Sequence, residues 1–217
     1  MKLIDHTRES LIAYLTAQCA HVVPDGRESE FRKAVDAHLD EALERMHRCI
    51  NACAPWRPDQ FNVLQSSQHC IFLYYLSNTI WRRSGDTAAG TRLFLMNKAL
   101  NGIDLFYEIA MPEVFYIGHS AGIVLAKATY GEYLVLYQNS TVGRHKDQIP
   151  ALGDRVVLYP NTAVIGRTVV ESDSVLSQGV SVINKRVPPG VIAFRAGGSD
   201  LAFQPRPDNL LQEYFRL

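Results

Sequence analysis

The stretch LGDRVVLYPNTAVIGRTVVESDSVLSQGVSV, Leu152–Val182, decides the fold of this chain. An aliphatic residue recurs at every sixth position, at Leu152, Leu158, Val164, Val170, Leu176 and Val182, and the register never slips. Four residues after each of the first five stands a small or β-branched residue: Val156, Thr162, Thr168, Ser174 and Val180. This repeat fits neither the helical period nor the strand period. It is the pattern of a parallel β-solenoid whose coil is a triangle of short strands, one hexapeptide to a side. The aliphatic residue is expected to point into a narrow prism and the small one to fit where the chain turns. An ordinary β-meander would show such spacing only by accident.

Upstream, Leu125 with Thr129 and Leu136 with Val142 obey the same rule with one residue missing. Between these and the main run, GRHKDQIP (Gly143–Pro150) breaks the hexads. This predicts a loop extruded from a corner of the prism, and such loops on solenoids commonly carry function.

Towards the N-terminus the period changes. Phe31, Val35, Leu39, Leu43, Met46, Ile50 and Cys53 fall at spacings of three and four within residues 28–54, as in one long amphipathic helix. Helices are also expected near 7–20, over 66–83 (one apolar side: Cys70, Leu73, Tyr74, Ser77, Ile80, Trp81) and over 87–100 (Leu93, Leu95, Met96, Leu100). Pro55, Pro58, Ser84, Gly85 and Asp86 punctuate the linkers. The expected fold class is therefore α+β: an α-helical domain over 1–102, a β-helix over 103–198 and a C-terminal tail over 199–217.

The chain has 217 residues, 47% of them apolar, enough to bury one large core or two small ones. Its 22 basic and 22 acidic residues cancel, which argues against nucleic acid and anionic membranes as partners. Leu11–Val23 is broken by Thr16, Gln18 and His21, and Cys70–Trp81 is too short to cross a bilayer, so neither a leader nor a membrane span is expected. Cys19, Cys49, Cys53 and Cys70 are expected to be reduced thiols of a cytoplasmic protein. His47, Cys49 and Cys53 raise the thought of a metal, but thiols at i and i+4 on an apolar helix face read as core, so no metal is expected.

The segment NGIDLFYEIAMPEVFYIGHSAGIVLAKATYGEYLVLYQNSTVGRH (Asn101–His145), behind a helical domain, resembles the serine acetyltransferase family of left-handed β-helix acyltransferases. The likeness covers roughly residues 66–198. Asp104 in GID, His119 in GHSAGIVL, QNSTVG (Gln138–Gly143), Arg144 with His145, and SVINKRVPP (Ser181–Pro189) match the family's ordered motifs. Two features depart from it. The family's substrate-holding aspartate before the histidine is Gly118 here, and the extruded loop is shorter. HSAGIVLAKATYGEYLVLYQNSTVG, with FLYYLSNTIW upstream, looks closer to a branch found among surface-polysaccharide genes.

The resemblance implies an acetyl-CoA-dependent O-acetyltransferase acting on L-serine or a sugar hydroxyl. It casts His119 as general base, Asp104 as the group orienting its imidazole, Arg144 and His145 as acceptor contacts, and Lys185 as a contact for the coenzyme's phosphates. It also implies a homotrimer, with paired trimers as a further option. Plainer roles stand beside these: a turn or helix-end aspartate, solvated loop residues and a solvated lysine. A rival from another class is a non-catalytic solenoid serving as an assembly or regulatory subunit. The tail, ending LLQEYFRL, is read as a short helix that could sit on a neighbouring subunit.

Overall fold

The computed structural model describes residues 1–197 and 201–217, and the chain forms two compact units. The first takes Met1–Asn51 and Trp56–Glu108; the second takes Ala52–Pro55 and Ile109–Leu217. The expected boundary between β-helix and tail, at 198/199, lies outside the described residues.

The first unit holds four helices, α1 (Arg8–Val22), α2 (Glu28–Ala52), α3 (Ser66–Ser84) and α4 (Thr87–Asn101). Several boundaries have a local cause. Thr7 caps α1 by accepting from Ser10 N, and Asp86 caps α4 by accepting from Ala89 N at 2.9 Å. Gly85 and Gly102 end α3 and α4 in the left-handed region, at φ 70° and 66°, where a side chain would strain the backbone. In α2 the expected stripe is buried at Phe31, Val35, Leu39, Met46 and Ile50, while Leu43 is only half-buried and Ala42 takes the interior place.

Two expectations for the helices need correction. Helix α3 is buried on every side from Ser67 to Ile80 rather than along one stripe. Its polar residues survive burial because they are bonded. The buried Arg45 guanidinium of α2 donates to Asn78 Oδ1 at 2.9 Å and Thr79 Oγ1 at 3.0 Å, and Ser77 Oγ donates to the Tyr74 carbonyl. In α4, Leu95 and Leu100 are exposed, so only Leu93 and Met96 of the expected four are core.

The second unit is a three-sided parallel β-solenoid. Its first face stacks Phe115–Ile117, Leu134–Leu136, Val157–Leu158, Val175–Leu176 and Val191–Arg195 in parallel. The second face stacks Val124–Leu125, Thr141–Gly143, Ala163–Ile165 and Ser181–Ile183. The third stacks Thr129–Tyr130, Ala151–Leu152, Val169–Val170 and Arg186–Val187. The hexad positions sit in register, Leu136 over Leu158 over Leu176 and Val142 over Val164 over Val182, all fully buried.

The small residues Thr162, Thr168 and Ser174 are also buried, with Thr168 Oγ1 donating to the Ile165 carbonyl at 2.7 Å and Ser174 Oγ to the Pro188 carbonyl at 2.6 Å. A residue of this size lets the backbone turn while its hydroxyl repays the desolvation. Asn139, Asn161 and Gly179 stand at one corner with positive φ, the conformation that Asn and Gly tolerate best.

The broken upstream hexad resolves differently from expectation. Thr129, read as the small residue where the chain turns, lies in the strand Thr129–Tyr130 and is exposed, and Tyr130 points inward in register with Leu152. The missing residue lies between Leu125 and Tyr130, and the large phenol fills the prism where an aliphatic side chain stands in later coils. Arg144–Ile149 are exposed, as an extruded loop requires.

The described tail residues are not a lone helix but fold back along their own chain. Leu201–Pro205 adds an antiparallel strand to Val191–Arg195, and a short 3-10 turn follows at Leu210–Glu213. Arg206 is pinned to Asp173 at 3.0 Å, and Asp173 also receives two bonds of 2.8 Å from Arg155. The chain then pairs with the short segment before Pro55: Ala54 N donates to the Tyr214 carbonyl and Arg216 N to the Ala52 carbonyl, both at 2.8 Å. Tail residues Tyr214 and Phe215 are buried. They supply apolar area that a short solenoid otherwise leaves exposed.

Candidate active site

His119 stands at the corner just after the strand Phe115–Ile117 in the second unit, and it is exposed. The preceding peptide is fixed by Gly118 N donating to the Leu136 carbonyl at 2.9 Å. Its imidazole centroid is 6.3 Å from that of Tyr137, one coil further on.

Residue 118 carries no side chain, and its place is taken. A Cβ built there would stand 2.6 Å from Tyr137 Cε1 and 2.9 Å from Cδ1. Tyr137 and Tyr159 occupy equivalent positions after successive strands of the first face, with ring centroids 5.6 Å apart. Tyr214 of the tail closes over them, its hydroxyl 3.4 Å from that of Tyr137 and 3.3 Å from that of Tyr159. Burial and these neighbouring phenols push the Tyr214 hydroxyl well above the usual tyrosine range, so it stays protonated and hydrogen-bonding.

Asp104 lies in the first unit, in the strand Asp104–Leu105 that follows Gly102. Its Oδ2 accepts from Lys98 Nζ at 2.7 Å. Arg144 and His145 open the extruded loop, which is closed on itself by His145 N donating to the Gln148 carbonyl and Gln148 N to the His145 carbonyl, at 3.0 and 3.1 Å. His145, Lys146, Asp147, Gln148, Arg167 and Asn184 line a cleft of about 400 Å³. Lys185 follows Asn184 and is exposed. The loop's histidine and the residue beside Lys185 thus share one cleft, whose lining includes neither His119 nor Arg144.

Chemically, the His119 corner offers an imidazole open to solvent near the Tyr137 ring, which Tyr159 and Tyr214 back. Sequence reasoning passed over Tyr137, Tyr159 and Tyr214. A phenol directly after an aliphatic hexad position, at Leu136-Tyr137 and again at Leu158-Tyr159, was the available signal for two of them.

These features define a hexapeptide-repeat β-solenoid protein with a helical N-terminal unit. The serine acetyltransferase of Mycobacterium tuberculosis is 25% identical over 149 residues, taking in 64% of this chain and 62% of that relative's length. Among solved structures, Neisseria gonorrhoeae serine acetyltransferase aligns with 93% of this chain and 80% of its own at a TM-score of 0.68 and 17% identity. Serine acetyltransferase isoform 3 of Entamoeba histolytica, in complex with cysteine, aligns with 93% and 74% at 0.63 and 18% identity. No protein-family model matches the chain. The chain is serine acetyltransferase-like in sequence and has the fold of those enzymes.

Proposed function

We propose that this protein is an acetyl-CoA-dependent O-acetyltransferase whose acceptor is the hydroxyl of a small molecule, L-serine or a sugar unit. One observation carries the reading: the histidine that matches the family's catalytic position stands exposed at a solenoid corner, in a chain related in sequence to a serine acetyltransferase.

In this mechanism His119 takes the acceptor's hydroxyl proton as the oxygen attacks the thioester carbonyl. The new C–O bond forms, the C–S bond of the tetrahedral intermediate breaks, and the imidazolium returns its proton to the leaving thiolate. Asp104 orients the imidazole and stabilises its cation. Arg144 and His145 contact the acceptor from the extruded loop, and Lys185 faces the donor's phosphates as a mobile point charge. The proposed domains are the helical 1–102, the β-helix 103–198 and the tail. The proposed assembly is a homotrimer in the cytoplasm, with donor bound in the groove between prisms.

The test is thiol release from acetyl-CoA, followed with a chromogenic thiol reagent, with L-serine in one series and sugars or sugar nucleotides in others. Release that depends on an acceptor supports the reading. Silence with every acceptor, together with no CoA binding, removes it in favour of a non-catalytic solenoid.

A further inference from the structure

Gly118, Tyr137 and Tyr159 hold the same place in three successive coils: their amides donate to the carbonyls of Leu136, Leu158 and Leu176 at 2.9, 3.1 and 3.1 Å. The first of the three has no side chain, and the second leans into the room this leaves, with Cε1 at 2.6 Å and Cζ at 3.0 Å from the place of the absent Cβ. The Tyr137 ring is enclosed by its own chain. Gly118 lies against it, the Tyr159 ring stands at 5.6 Å and 33°, and the Tyr214 ring meets it edge-on at 6.3 Å and 76°. A ring so enclosed is a packing element, not a platform for a ligand. What it presses on is the residue before His119, and a glycine there has more backbone freedom than any other residue. Tyr214 also packs on Tyr116, in the strand that runs into the His119 corner, at 5.8 Å. Tyr214 is itself held by contacts that do not involve His119: its carbonyl accepts from Ala54 N, the next residue Phe215 sits edge-on to Tyr133 at 5.2 Å, and Arg216 Nη1 donates to the Cys53 carbonyl at 2.6 Å.

We infer that Tyr214 is a positioning residue: packed on Tyr137 and Tyr116, it fixes the Gly118–His119 peptide and with it the place of the imidazole. The tail is thereby part of the active corner. For its catalytic consequence the inference rests on the O-acetyltransferase reading. A general base must stand within hydrogen-bond reach of the hydroxyl it deprotonates, and a misplacement of about 1 Å costs about a hundredfold in rate. His119 is exposed, so packing around its own ring cannot hold it; the packing of the peptide before it can. The Tyr214 ring supplies this restraint more than its hydroxyl does, because the hydroxyl contacts of 3.4 and 3.3 Å are longer than ordinary O–H···O bonds.

The experiment uses the full chain and the best acceptor of the thiol-release series, with rates divided by the number of CoA-binding sites so that only folded protein is counted. Tyr214→Ala and Tyr137→Ala are each expected to lower kcat by about tenfold or more while KM for both substrates stays within about threefold. The double variant is expected to lose no more than either alone. Tyr214→Phe, which keeps the ring, is expected to recover most of the rate, and Tyr214→Leu stands in for Tyr214→Ala if that variant does not fold. Val164→Ala leaves a cavity inside the prism on the second face and is the control for stability alone, with kcat per site expected within about threefold of wild type. A further readout needs no turnover: the proton resonances of the His119 imidazole, assigned with His119→Ala, are expected to move towards the free-histidine position in Tyr214→Ala. Either an unchanged kcat per site or unmoved resonances in that variant overturns the positioning role. Additive losses in the double variant overturn the route through Tyr137, and an equal loss in Val164→Ala overturns the inference in favour of a general loss of stability. A wild type that neither binds CoA nor transfers acetyl groups overturns the O-acetyltransferase reading and the catalytic consequence drawn from it, while the resonances still decide whether Tyr214 places His119.

Discussion

Lys98, in the last turn of α4, holds the Asp104 carboxylate at 2.7 Å across the left-handed Gly102 that ends the helix. The side chains are 52% and 36% exposed, so the pair is worth no more than about 1 kcal/mol and can exchange partners without unfolding anything. If the carboxylate orients His119 during turnover, Asp104→Asn lowers kcat by about tenfold or more with CoA affinity intact. Equal kcat in the two proteins removes Asp104 from the mechanism.

For His119 itself the expectation is larger. His119→Ala removes at least about a hundredfold of the rate, because no other base replaces the imidazole, while CoA affinity stays at the wild-type value. Steady-state thiol release and calorimetric CoA binding check the two halves separately. Unchanged turnover would sink the assignment.

Gly118→Asp places a side chain where the Tyr137 ring lies, within 2.6 Å of its Cε1. Either the phenol swings away from Tyr214 or the strand shifts, at a cost of about 1–3 kcal/mol. The denaturant midpoint should fall accordingly, and adding Tyr137→Ala should restore part of the loss. Additive losses in the double variant would show that the two positions do not compete for space.

His69, buried in α3, meets Asn101 Nδ2 at 3.2 Å and Gln18 Oε1 at 3.3 Å, and burial lowers its pKa to about 4. The unfolded chain then takes up a proton near pH 6.5 that the folded chain refuses until about pH 4. Stability is therefore full above pH 6.5 and falls as pH drops through that window, by up to about 3 kcal/mol. His69→Gln should flatten the fall when denaturant midpoints are compared between pH 7 and pH 4. An equal slope in both proteins would assign the acid sensitivity elsewhere.

Arg206 ties the tail to Asp173, and its side chain is only 10% exposed. Arg206→Ala should loosen the segment from Leu201 onward, measured as faster limited proteolysis there and a loss of about 1–3 kcal/mol. Protection equal to wild type would mean that the antiparallel strand and the pairing of Tyr214 and Arg216 with residues 52–54 hold the tail without it.

Much of this architecture is legible in the residues alone, for a definite reason. The interior of a triangular coil is about one side chain wide, so a repeated coil sets an aliphatic residue at its inward positions and a small one at its tight corners. Leu158, Val164, Val170 and Leu176 meet that demand at one fixed spacing. The helices announce themselves similarly, through the stripe from Phe31 to Ile50 and the turn residues Ser84, Gly85 and Asp86 between α3 and α4. His119 and Asp104 stand out through the order of motifs around them, not through any local period.

Other features depend on contacts between distant residues, which no periodic pattern encodes. Tyr130 rather than Thr129 points inward because the coils above impose their register on a strand with a residue missing. Asn78 and Thr79 of α3 accept complete burial because Arg45, more than 30 positions earlier, supplies their hydrogen bonds. Tyr137 lies over Gly118 under the hydroxyl of Tyr214, 77 residues away. Short-range pattern suffices where one element's own geometry dictates which side chain goes inside. Where the placement of a ring turns on what has folded back against it, packing alone determines the outcome, and here that includes the surroundings of the candidate catalytic histidine.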